Sequence, residues 1–375
     1  MADGAEVRDA ILAWAAQHGI LAYAAQAAAG AETGKPDILP FDGTHVEFFR
    51  TRNIVRVQLE HKGQWDVVTV SSRRRIAATK IKELTARFDE AFKADHVRLA
   101  VTISQPFKVD HAVQAYGRFD PIRKWHGRLA CGSSIGIGNQ RNAGTLTALA
   151  TRTDGRDDRV FGLSCNHVIG GCSTTRPGTP IVMPGIQDVG PERSRITVVG
   201  RHHAAAPMSQ GLPSVIQIEH NMDLACFEVT APSRVSSVQG SGEGGFDTPD
   251  DFVDQVTTGL VVKKWGRSTG LTRGRVANIV VGGEPVDYNI TSHFGPMDSQ
   301  VFRGTVFFDQ VFEIDPIGGP FSLGGDSGAL VVTDIHDAEA IVGIVIAGSR
   351  EKSLALPLRP MLDALHLTIL SGHNT

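Results

Sequence analysis

The sequence predicts a mainly β protein, a barrel pair or sandwich of about ten short strands behind a small α+β module. Three observations carry that expectation. The chain has 41 Gly and 18 Pro but only 6% aromatic residues, a balance suited to many tight turns between short strands. From Gly127 onward, short apolar runs recur at spacings of about ten to twenty residues, punctuated by Gly, Pro, Asn and Asp. Ahead of that point the apolar spacing is partly helical.

The elements follow in order. Val7, Ile11 and Trp14 fall on one helical face until His18-Gly19 breaks the pattern. An Ala-rich run from Ile20 to Ala29 then predicts a second helical arm, and Pro36 to Gly43 a turn-rich connector. Val55, Val57 and Leu59 alternate, and His61-Lys-Gly-Gln64 has the chemistry of a hairpin turn into a second strand, Trp65 to Val70. A helix is expected over Ile76 to Ala94 and a strand over Val97 to Ile103, closing a module of residues 1–120. Beyond it, strands are expected at Thr145–Ala150, Val160–Ser164, Ile181–Met183, Ile196–Val199 and Leu224–Val229. After a Gly-rich connector at 240–245 come Leu260–Trp265, Val276–Val281, Val301–Phe308, Ala329–Val332 and Ile341–Ile346. Met361, Leu362 and Leu365 predict a last helix. At 375 residues the chain exceeds the length of ~150 typical of one domain, so two or three are expected.

Composition excludes several classes of function. The 37 Lys+Arg against 40 Asp+Glu leave a net charge of −3, which argues against a chain-wide polyanion binder. Residues 41–82 carry nine Lys/Arg, including Arg73-Arg-Arg75, against four Asp/Glu. This reads as a solvated helix entry rather than a nucleic-acid groove. Four cysteines (Cys131, Cys165, Cys172, Cys226) are too few for a disulfide scaffold. The N-terminus is acidic and helically patterned, unlike a secretory signal, and no run approaches the ~20 apolar residues of a membrane span. A cytoplasmic protein in a reducing compartment is the expectation.

Three stretches concentrate chemistry. Phe161-Gly-Leu-Ser-Cys-Asn-His-Val-Ile-Gly170 is a strand running into a loop that carries His167. Asp223 opens the apolar strand in Asn221-Met-Asp-Leu-Ala225, and Ser327 sits in the glycine-dense Phe321-Ser-Leu-Gly-Gly-Asp-Ser-Gly328 just before a strand. A serine hydroxyl becomes a nucleophile when an imidazole takes its proton, and a carboxylate fixes the tautomer and steadies the imidazolium. Glycines around the serine let the amides of Gly325 and Ser327 converge on the oxyanion of a tetrahedral intermediate.

Gly-Asp-Ser-Gly at 325–328, Asn-His-Val at 166–168 and Asp223, in the order His, Asp, Ser, resemble the chymotrypsin/trypsin-like serine proteases. Finer features are similar to the plant narrow-leaf-type peptidase and its bacterial trypsin-like relatives. These are Met183-Pro-Gly185 followed by Asp188, Asn221-Met-Asp-Leu-Ala225, and Lys264-Trp-Gly-Arg-Ser-Thr-Gly-Leu-Thr-Arg-Gly274. The resemblance implies two six-stranded β-barrels within 127–370, one over about 127–235 and the other over about 255–358. It implies His167, Asp223 and Ser327 as the triad, with no cofactor and no metal. It also implies a primary pocket with Ile346, Ala347 and Gly348 as its wall and Phe321 and Ser322 near its base.

The chain departs from that pattern in four ways. Ala329 follows the serine motif where many members have a second glycine. Ile346 stands where secreted trypsins carry a serine that supports the triad aspartate. No cysteine clamps the histidine loop. No Ile-Val-Gly-Gly activation site precedes the barrels, so Asp326 must be held by something other than a new N-terminal amine.

The same residues bear on three other readings. An α/β-hydrolase elbow would need glycine at Ala329 and a helix after the serine. A zinc site from Cys165, His167, Cys172 and Cys226 lacks a Cys-x-x-Cys pair. Gly240-x-Gly-x-x-Gly245 is not followed by a helix, so it reads as a connector rather than a nucleotide loop. The function expected is a regulated serine endopeptidase acting on protein substrates. The alternatives are a catalytically degenerate domain used for binding, and an effector protease whose first 120 residues recruit a partner in bacterial defence.

Overall fold

A computed structural model describes residues 3–21, 36–104, 107–109, 120–155, 157–190, 195–213, 215–295, 297–335 and 338–375. The expected second helical arm lies mostly outside them. The first helix, Gly4–Gln17, is closed at its start by a reciprocal cap between Asp3 and Glu6, and Gly19 at φ +62° turns the chain out of it. The connector after Pro36 leads into a helix that the sequence reading did not contain, Gly43–Arg50, capped by Asp42. Strands Ile54–Lys62, Trp65–Ser72 and Val97–Ile103 form one sheet, with Gly63 at φ +64° in the hairpin turn. The helix Ala78–Ala91 seats Leu84 and Phe88 in the core below this sheet, and Arg73–Arg75 form an exposed entry to it.

The first barrel is closed by one chain segment that serves both of its edges. Gly144–Thr145 pairs with Ser134–Ile137, and Leu149–Arg152, a few residues on, pairs with Phe161–Ser164. Between these edges run Ala225–Val229, Thr197–Ala205 and Pro180–Met183, which makes six strands around the ring. Its lining is the apolar face of each strand, with Ile135, Leu149, Phe161, Leu163, Ile181 and Phe227 all buried. The second barrel is closed by Val261–Gly266, Gly270–Val280, Val311–Ile317, Ser353–Pro357, Ile341–Gly348 and Leu330–Thr333. The C-terminal helix Leu358–Leu365 buries Met361 and Leu362.

One expectation needs correction. Val301–Phe308 is not a barrel strand. It belongs to a long hairpin, Glu284–His293 with Ser299–Phe308, that leaves the second barrel and joins a separate sheet with Phe107–Lys108. Ten residue pairs run in unbroken register along the hairpin, and Val286, Tyr288 and Ile290 give it a buried face. Glu284–His293, Val311–Ile317 and Ser353–Pro357 were not among the strands expected. The α+β module and the barrels share a core, since Leu212, Ile218 and Phe307 pack with Ile11, Ile54 and Val68. Among the described residues no helix is long and apolar enough to cross a membrane.

Candidate active site

His167 lies in the short helix Asn166–Ile169 that ends the strand Phe161–Ser164. Asn166 holds that turn, donating to the Ser173 hydroxyl at 2.8 Å and the Ala206 carbonyl at 3.0 Å. Asp223 stands just ahead of Ala225–Val229. The antiparallel register sets Ser164 opposite Ala225, so the exit of one strand lies beside the entrance of the other. Two residues 56 apart in sequence thereby meet. Asp223 is fully buried, and its Oδ1 accepts the His167 amide at 3.0 Å while Oδ2 faces His167 Nδ1 at 2.6 Å. This places the ring proton on Nδ1 and leaves Nε2 as the basic nitrogen.

Ser327 arrives from the other barrel. Its hydroxyl donates to the Ile346 carbonyl at 3.2 Å, and its own carbonyl accepts the Thr145 amide at 2.8 Å. Gly144 joins the two halves of the site. A Cβ there would lie 2.5 Å from a methyl of Val168, the residue after His167, and 2.9 Å from the Ser327 carbonyl oxygen. Only glycine lets the histidine helix and the serine turn approach this closely. From the same side, the Cys165 thiol donates to the Val345 carbonyl at 3.2 Å.

The turn Leu323–Gly328 carries the amides that the oxyanion reading invokes. The Asp326 amide donates to the Leu323 carbonyl at 3.0 Å, whereas the Gly325 and Ser327 amides have no acceptor among the described residues. Gly325 has φ +93°, and a Cβ on it would overlap the Arg267 guanidinium. Beneath this turn lies the answer to how Asp326 is held. Lys264 Nζ sits 3.2 Å from Asp326 Oδ2, with both side chains fully buried. The same carboxylate accepts the Ser268 amide at 2.8 Å, the Leu323 amide at 3.0 Å and the Thr269 hydroxyl at 2.7 Å. Burial lowers the Lys264 pKa while Asp326 opposes that shift.

Two motifs noted in the sequence converge on this turn. Arg267, buried, forks onto both carboxylate oxygens of Asp188 and reaches the Gly324 carbonyl at 3.4 Å through Nη1. Asp188 also accepts the Ser134 hydroxyl at 2.6 Å. The stretch after Met183-Pro-Gly185 and the stretch from Lys264 therefore clamp the loop that carries Ser327. Sequence reading missed these roles, although a lysine on the same strand face as Val262 was a signal.

The expected pocket residues fall into two groups, one beside the Ser322–Ser353 pair and one in the cores. The Ser322 and Ser353 hydroxyls pair at 2.6 Å beside Gly348, where a Cβ would overlap Ser322 Oγ. Ile346 and Ala347 follow on the strand bearing the carbonyl that receives Ser327 Oγ, and Ala347 and Ser322 are buried. Phe321 points into the core of the second barrel with Val262, Val276 and Ile314, and the Ile346 side chain joins the larger core.

Cys165, His167 and Asp223 present donor atoms within 4.8 Å of one another, the one such trio among the described residues. Burial pushes the Cys165 thiol well above its usual range, helped by Asp223, so it is a protonated donor rather than a thiolate ligand. Cys172 and Cys226 lie outside that trio, and all four cysteines are buried and unpaired.

Two antiparallel six-stranded barrels pack together, with His167 and Asp223 on the first and Ser327 on the second. The fold is chymotrypsin-like. No family model and no curated protein matches the chain. Solved structures similar to it include Thermobifida fusca protease A, at 15% identity, covering 65% of this chain and all of that one, with a TM-score of 0.40. Nocardiopsis protease matches at 14% identity over 64% of this chain and 97% of its own, with a TM-score of 0.39. A homolog of alpha-lytic protease, N4, matches at 17% identity over 64% and 98%, also at 0.39.

Proposed function

We propose that the chain is a serine endopeptidase that cleaves protein substrates through an acyl-enzyme on Ser327. The observation that carries this reading is the paired, buried His167–Asp223 couple, packed across Gly144 from a serine turn whose Gly325 and Ser327 amides have no acceptor among the described residues. Ser327 Oγ turns from the Ile346 carbonyl toward His167 and attacks the substrate carbonyl carbon, while His167 Nε2 takes its proton. The two amides bind the oxyanion, each such donor being worth about 10²–10³ in rate. His167 then gives its proton to the leaving amine, and water repeats the sequence to release the acid.

Ser322, Ala347 and Gly348, with Phe321 and Ile346 behind them, form the primary pocket in this reading. With no carboxylate at Phe321, small or medium uncharged side chains are preferred over Arg and Lys. Residues 1–120 are the regulatory module and 127–370 the protease. The motifs around Asp188 and Lys264 support kinship with the narrow-leaf-type peptidase branch. Four buried, unpaired thiols support a reducing, cytoplasmic setting, with protein substrates rather than nucleic acid or membrane as partners.

Labelling with a fluorophosphonate probe tests the reading. Wild-type protein labels at Ser327, and folded Ser327→Ala does not. Wild-type protein that fails to label and cleaves no peptide library overturns it in favour of a degenerate domain used for binding.

A further inference from the structure

The serine that supports the triad aspartate in secreted trypsins is replaced here by Ile346, whose side chain is buried in the core. Its hydrogen bond is nevertheless made. The Tyr288 hydroxyl donates to Asp223 Oδ2 at 3.0 Å, the same oxygen that faces His167 Nδ1, from a residue 65 positions further along the chain. The Tyr288 ring lies 5.6 Å from the His167 ring, centroid to centroid, and is wedged edge-on against Phe302 and Phe308.

Tyr288 belongs to the hairpin that leaves the second barrel, and that hairpin grips the aspartate segment twice. Asn221, two residues before Asp223, donates to the Phe307 carbonyl at 2.9 Å. The N-terminal module holds the hairpin's base. Arg56 Nη1 reaches Glu284 at 2.8 Å, Gln58 reaches it at 3.1 Å, and Phe107 pairs with Val286 in parallel register. We propose that Tyr288 is the positioning residue of the His167–Asp223 couple, supplied on a hairpin that the N-terminal module anchors.

The proposal rests on Ser327 as the nucleophile. Burial together with Asp223 raises the Tyr288 pKa well above its usual value, which keeps the hydroxyl a donor throughout the working range. The other titratable groups facing Asp223 are the Cys165 and Cys172 thiols, and burial holds both protonated as well. Tyr288 therefore draws charge from the carboxylate. Without it, Asp223 stabilises the imidazolium more strongly and loses one of its orienting contacts.

Tyr288→Phe keeps the ring packing and removes only the hydroxyl. In this variant the acid limb of kcat/KM moves to higher pH by about half a unit or more, and kcat falls about tenfold or more. The ring-carbon NMR titration of His167 moves in the same direction, and this readout does not depend on turnover. In Glu284→Gln, which weakens the grip of Arg56 on the hairpin, the shift has the same sign and vanishes when combined with Tyr288→Phe. A folded Tyr288→Phe protein with unchanged pH profile and unchanged His167 titration overturns the positioning role. Glu284→Gln effects that persist undiminished in the double variant overturn the anchoring by the module. A wild type that does not label at Ser327, while Tyr288→Phe still shifts the His167 titration, separates failure of the protease reading from failure of this one.

Discussion

Replacing Lys264 by Met tests how the serine turn is held. The substitution keeps the chain length and removes an ammonium lying 3.2 Å from Asp326 Oδ2, with both groups fully buried. Breaking a buried ion pair from one side costs about 3–5 kcal/mol, because the remaining charge is left desolvated. Asp326 keeps donors from the Ser268, Thr269 and Leu323 amides and the Thr269 hydroxyl, so the loss belongs at the lower end, about 3 kcal/mol. For a domain of this size that corresponds to a fall in Tm of about 6–12 °C.

Because the turn also carries the Gly325 and Ser327 amides, the labelling rate at Ser327 falls with stability. The assay is thermal unfolding at neutral pH, together with fluorophosphonate labelling kinetics. A folded Lys264→Met protein with wild-type Tm and wild-type labelling would show that the pair does not hold the turn.

Further outcomes follow from the same geometry. Ser327→Ala or His167→Ala removes nearly all peptidase activity while the protein stays folded, and Asp223→Asn lowers kcat by about 10⁴ through loss of the correct tautomer; peptide kinetics with circular dichroism check all three. A peptide library is cleaved after small or medium uncharged residues, and dominant cleavage after Arg or Lys rejects the pocket reading. Burial raises Glu284 to about 7, with Arg56 pulling against it and Glu313 adding to it, so the folded state holds a proton that the unfolded state releases. Stability therefore declines as pH rises from about 5 to 8, by up to ~3 kcal/mol, and Glu284→Gln flattens that slope in urea titrations. Glu313 contributes the opposite sign, since Lys352 and Arg56 outweigh its burial and hold it low.

What neighbouring residues decide was readable in the chain. Glycines at 325 and 328 specify a turn with positive φ, and the structure finds both there, at +93° and +95°. Apolar runs of four to eight residues bounded by turn formers predicted many of the barrel strands. Val97–Ile103 falls where expected because its alternation is local. The hairpin strand Glu284–His293 escaped notice although Val286, Tyr288 and Ile290 alternate with Asp287 and Asn289. Pro285 and the polar partners masked that pattern. The need for a new partner at Asp326 and the loss of a serine at Ile346 were visible as gaps in a motif. Which residues fill them was not.

Lys264 is 62 positions from Asp326, and Tyr288 is 65 from Asp223. No local preference links such residues. Their meeting depends on strand register, on barrel closure and on a hairpin folding back over the first barrel. Chain conformation is set by near neighbours through sterics and hydrogen bonding, so the turn around Ser327 is written in its own residues. A buried charge is satisfied by whatever the closed core brings within about 3 Å, and only the tertiary structure decides what that is.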